Sequence, residues 1–162
     1  MHILTSLKKI SLIDYRTKHL LLNALGFPHI NYCLSSWSGA AKIVINRFDS
    51  LLHNIDKVSY IDKSIMDMAN FQKSIVVFKA INKLCPEYFS ERFNLVTSRH
   101  SHYTRNAANK NLLVQNTRNK LSDRTFLRQS TTVRNSLPTE MKQTQSMLKF
   151  KCPAKQHFFE KI

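Results

Sequence analysis

Asp67-Met68-Ala69-Asn70-Phe71-Gln72-Lys73-Ser74-Ile75-Val76-Val77-Phe78-Lys79-Ala80-Ile81-Asn82-Lys83-Leu84 is the stretch on which the fold class turns. Met68, Phe71, Ile75, Phe78 and Ile81 recur every three or four residues, so they share one face of a helix over about 68–84, with Asp67 as its N-cap. Pro86 ends it, and Cys85-Pro86-Glu87-Tyr88-Phe89 reads as a turn followed by one helical turn. Upstream, Val44, Phe48, Leu51, Leu52 and Ile55 repeat at the same spacing and predict an amphipathic helix over 40–55. Ser11 and Asp14 match a capping box for a helix over about 13–25, which Gly26 stops in a left-handed conformation before Pro28 starts the next element.

Downstream the composition changes. Residues 92–134 hold nine basic side chains against one acid, Asp123, among many Ser, Thr and Asn, which favour turns and caps over long elements. We read 94–121 as mostly loop with a short strand at Leu112–Gln115. A helix over 123–135 then starts at Ser122 and is broken by Leu137-Pro138. A last helix begins near Thr144 and buries Met147, Leu148 and Phe150, with Pro153 ending or kinking it. The expected fold is mainly α: a small helical core in 1–90 and a basic, loop-rich C-terminal appendage in 91–162, with at most a short β element.

The totals narrow the partners. The 162 residues carry 25 Lys plus Arg against 10 acids, a formal charge of +15, which argues for a polyanion such as RNA or DNA before an anionic membrane surface. The excess is uneven, +5 over residues 1–90 and +10 over 91–162. Two glycines, Gly26 and Gly39, cannot build a phosphate-cradling loop. Three widely spaced cysteines fit neither a disulfide framework nor a zinc site and point to a reducing compartment, so we expect an intracellular location, cytoplasmic or nuclear. No apolar run approaches the length of a membrane-spanning helix.

The string His100-Ser101-His102-Tyr103-Thr104-Arg105, Asn111-Leu112-Leu113-Val114, Arg118, Arg124-Thr125-Phe126, Val133-Arg134-Asn135-Ser136-Leu137-Pro138 and Ser146-Met147-Leu148-Lys149-Phe150-Lys151 resembles the segment that follows the polymerase domain in non-LTR retrotransposon reverse transcriptases of the jockey-like and related clades. Pro28, Tyr32, Cys33 and Trp37 add a second point of similarity, in the region corresponding to the thumb or its continuation. The resemblance implies the non-catalytic C-terminal portion of an RNA-directed DNA polymerase, holding RNA or an RNA/DNA duplex through phosphates. The chain departs from the family pattern at three places: Arg134 replaces a tryptophan usual before the Asn-x-Leu-Pro piece, Thr131-Thr132 replaces the Gly-Ala before it, and Pro153 interrupts the terminal helix.

No two acidic residues are adjacent in the chain, so the paired metal-binding carboxylates of a polymerase are missing and no enzymatic activity, cofactor or small-molecule substrate is expected. His100 and His102 could offer two imidazoles to a metal, but no third ligand lies near in sequence, so no metal site is expected. The candidate nucleic-acid-binding residues are Arg99, His102, Arg105, Lys110, Arg118, Lys120, Arg124 and Arg128, since one acid in this stretch leaves them few intramolecular partners. Tyr103 and Phe126 could stack on bases, but core positions suit them better, because aromatic side chains in short domains are more often core than platform. A second reading from the same residues is a helical interaction scaffold whose basic surface meets an acidic protein or an anionic membrane.

Overall fold

In the computed structural model, residues 14–40, 42–55, 64–98, 104–116 and 118–160 are described. They are mainly α-helical, and among them the sole β pairing is an isolated antiparallel bridge between Leu95 and Leu112. The chain divides into two compact units, 1–66 and 67–162. Sequence composition placed the change at 90/91. The division falls earlier because the long helix and the short one after it pack with the C-terminal residues.

In the first unit, α1 (Tyr15–Leu21) runs into a π-helical turn at Leu22–Gly26 and then α2 (Phe27–Asn31). Gly26 is therefore not the expected left-handed stop: its φ of −77° is right-handed helical, and Pro28 is the second residue of α2, directly after the π-helical turn. The left-handed residue of this region is Cys33, with φ 50°, immediately before α3 (Leu34–Trp37). The Trp37 indole N–H donates to the Tyr32 carbonyl at 3.0 Å, and its ring lies 5.5 Å from Phe48 on α4 (Lys42–Ile55). Among the described side chains of α4, Ile45 is buried and Phe48 half-buried, whereas Val44, expected on the core stripe beside Phe48, is exposed. Asp49 on α4 accepts a hydrogen bond at 2.9 Å from the Ile65 amide.

That amide opens α5 (Ile65–Ile81), which starts three residues before the expected boundary. The side chains that cap it are Asp49 and Ser64, whose hydroxyl accepts from Met66 N–H at 3.1 Å, while Asp67 lies inside the first turn. Four unpaired N–H groups at a helix start need such acceptors. From Met68 onward α5 is the axis of the second unit and is buried on nearly every side: Met68, Ala69, Lys73, Ser74, Val77, Phe78 and Ala80 are all interior.

Two apolar clusters flank α5. In one, Phe78 stacks on Phe150 at 4.5 Å and joins Leu137, Met141, Ala154 and Phe158. In the other, Val77 and Ala80 meet Phe93 and Leu112, with Phe89, Leu95, Phe126 and Leu127 packed around them. Phe126 is thus half-buried core rather than an open stacking platform. Besides α5, the helices that contribute to these clusters are α6 (Glu87–Ser90), α8 (Phe126–Ser136), α9 (Thr139–Gln143) and α10 (Met147–Phe159), while α7 (Arg105–Ala108) buries Ala107 outside both. α7 and α9 were not expected from the sequence. Pro153 stands inside α10 without ending it, and Leu148 is 80 % exposed, not buried. Both follow from one register: Phe150, Ala154 and Phe158 face the core, so Leu148 and Pro153 fall on the wet side. There the Lys149 carbonyl, deprived of its i+4 donor by the proline, can reach water.

Candidate nucleic-acid interface

The basic region is a set of turns fastened to the second unit by the end of α8. At Asn135 one side-chain amide reads both polar groups of Leu112: its oxygen accepts from the Leu112 N–H at 2.8 Å and its Nδ2 donates to the Leu112 carbonyl at 2.9 Å. Leu112 is in turn bridged to Leu95 through flanking bonds from Leu113 N–H to Asn94 and from Val96 N–H to Asn111, at 2.8 and 2.9 Å. Lys142 on α9 adds a third tie, its ammonium donating to Asn111 Oδ1 at 2.8 Å and to the Asn135 carbonyl at 2.6 Å. The loop before α8 is therefore pinned at its base, as a buried backbone must be.

Outside that base lie the candidate cations. Lys110 is exposed, with φ 49°, on the turn after α7. Arg118, Lys120 and Arg124 are exposed on a tight turn and 3-10 helix, Ser122–Arg124, whose backbone is closed by bonds from Ser122 and Asp123 N–H to Asn119. Arg128 differs from them. Its Nε pairs with Asp123 at 2.8 Å and its Nη1 donates to the Gln115 carbonyl, so it ties the loop to α8 instead of standing open. Arg105 opens α7, but its side chain is not described, and Arg99 and His102, with His100 and Tyr103, lie outside the described residues. Four of the eight candidates thus stand as exposed cations on turns, and one is structural.

Lys149, Lys151 and Lys155 also stand exposed on α10, opposite Phe150, Ala154 and Phe158. The helical period that marks Phe150, Ala154 and Phe158 as interior also places these lysines outside, a signal the sequence reading did not use. Other cations go inward. Lys73, Arg134 and Lys142 are buried, with no buried carboxylate among the described residues. Lys73 donates to Gln129 at 2.6 Å, and burial lowers its pKa to about 8. Burial lowers Arg134 to about 10, which leaves it charged at neutral pH. Lys142 is lowered by burial and by the Arg134 charge. Arg134 Nη2 donates to the Lys142 carbonyl at 2.8 Å, whereas Nε and Nη1 have no hydrogen-bond partner among the described residues.

The arrangement places exposed positive charge on turns whose base is hydrogen-bonded to the second unit. Among the described residues no group of three His, Cys, Asp or Glu side chains could hold a metal ion, and no helix is long and apolar enough to cross a membrane. No family model, curated protein or solved structure matches this chain.

Proposed function

We propose that this chain is the non-catalytic C-terminal portion of a mobile-element reverse transcriptase and that it binds RNA or an RNA/DNA duplex through backbone phosphates. The observation that carries the reading is the accessibility of Lys110, Arg118, Lys120 and Arg124 on turns where the acid, Asp123, is already paired with Arg128. Unpaired surface cations of one sign attract polyanions and release counterions when they meet phosphate. Two sequence features supply the parental family: the ordered motif string and the Asn-x-Leu-Pro piece at the end of α8. The interior position of residue 134, where that family carries a tryptophan, supports the same reading.

Fluorescence anisotropy with a single-stranded RNA oligonucleotide tests it. Four phosphate contacts imply that affinity falls about fiftyfold between 50 and 200 mM salt, at a slope of roughly −0.7 per contact. Replacing Lys110, Arg118, Lys120 and Arg124 together by Ala should remove most of the affinity and flatten that slope. Arg128 is kept, because it fastens the loop. Undiminished RNA binding by the fourfold variant would count against the proposal, and capture of an acidic protein or anionic vesicles in place of RNA would favour the scaffold reading.

A further inference from the structure

An open-mouthed cavity of about 510 Å³ lies in the second unit, between the C-terminal end of α5, the helix α6 and the chain from Phe93 to Ser98. Its volume falls in the range of small-molecule sites, about 300–1,000 Å³. Ala80, Ile81, Phe93 and Leu95 form its apolar lining, and Ala80 and Phe93 are themselves buried. The Cys85 thiol and Ser90 hydroxyl, 3.3 Å apart, add a small polar spot.

The charge at this mouth is opposite to that of the chain. Glu87 and Glu91, exposed and lining the cavity, are four residues apart on one face of α6 and its cap, where like charges repel. Neither forms an ion pair among the described residues. The end of α5 adds the partial negative charge of a helix C-terminus. Among the described lining residues the one cation is Lys83, which stands against them. A nucleic-acid phosphate is therefore disfavoured here even though the chain carries +15 overall.

We propose that this pocket binds a small organic cation with an apolar body, its ring or chain against Ala80, Ile81, Phe93 and Leu95 and its charge beside Glu87 and Glu91. An apolar lining supplies the area, and the two carboxylates supply the sign. The pocket is not legible in the sequence, since its lining comes from three segments that read separately as a helix end, a turn and a loop. The site shares no residue with the proposed phosphate-binding turns, so either assignment can fail without the other.

The test is an NMR titration of the full chain with benzamidine, with its neutral analogue benzamide and with benzoate. Benzamidine should give saturable shifts confined to residues 80–98, with benzamide about tenfold weaker, a difference of about 1.4 kcal/mol, and benzoate weaker still. The double variant Glu87→Gln/Glu91→Gln, altered at exposed positions only, should bind benzamidine no better than benzamide. Ile81→Trp, which fills the cavity, should abolish both. Absence of saturable shifts at these residues, equal binding of the neutral analogue, or unchanged benzamidine affinity in the Gln variant would overturn the proposal.

Discussion

Arg134 is the residue whose chemistry fits its surroundings least. It is 3 % exposed, lies near the Lys142 ammonium and leaves two nitrogens without partners. A buried charge that is not fully paired is costly, and replacing one by an apolar side chain of similar volume is often neutral or stabilising by about 1–4 kcal/mol. The Lys142 carbonyl would lose its donor, at a cost of about 1 kcal/mol. Arg134→Met should therefore raise unfolding free energy by about 1–2 kcal/mol in urea titrations, and a loss of that size would show that the guanidinium is paired in solution. Lys73 gives a pH signature. The unfolded chain keeps its proton up to the ordinary value of 10.5, the folded chain only up to about 8. Across that interval the unfolded state binds more protons, so stability should climb as pH rises from 8 towards 10.5, the burial penalty being full below 8. Lys142, also lowered, acts in the same direction. Lys73→Met should flatten the climb, as followed by thermal melts at a series of pH values.

Among the elements, α8 carries the greatest load relative to its length. Its last turn places the Asn135 amide on the Leu112 backbone, offers the Asn135 carbonyl to the Lys142 ammonium and turns Arg134 inward onto the Lys142 carbonyl, so the loop at Leu112 and α9 both depend on two consecutive residues. Asn135→Ala removes both amide bonds and leaves a buried N–H and C=O at Leu112 unsatisfied, a loss of about 2–4 kcal/mol. Hydrogen exchange should show protection lost first at Leu112 and Leu113, and full protection there in the variant would sink this account of the loop. The sequence announced α8 and its stop at Leu137-Pro138, because proline and helical spacing are local signals. It did not announce what Asn135 holds, since the partner is 23 residues away. In α5 the apolar period is blurred because Lys73 and Ser74 are interior too, so the helix was legible and its burial on nearly every side was not. Leu148 was misplaced for a related reason: Met147, Leu148 and Phe150, three apolar residues within four positions, cannot all face one side of α10. The exposed cations of 110–124 could be counted from sequence, whereas the inward turn of Arg134 and Lys142 could not, because composition records charge without direction.

For the whole molecule, the division at 66/67 matters more than the shift in composition at 90. Both apolar clusters draw every member from residues 71–159, and the base of the turns bearing Lys110, Arg118, Lys120 and Arg124 is tied to that unit through Asn135 and Lys142. Residues 67–162 also hold 17 basic and six acidic side chains, +11 of the total +15. A chain starting at Ser64, which keeps the hydroxyl that caps the Met66 amide, should therefore fold without the first unit. It should unfold in one cooperative transition with an m-value on the order of 1–2 kcal/mol/M in urea, as suits a domain of about 100 residues. The same chain should bind the RNA oligonucleotide with the salt slope of the full chain, because counterion release counts contacted phosphates and not chain length. If it folds but its slope falls by half or more, phosphate contacts outside 64–162 are required and the interface has been placed on too few residues. If it fails to fold, stability of the second unit depends on residues before Ser64, and the two clusters around α5 are insufficient to offset the conformational entropy of ordering about a hundred residues.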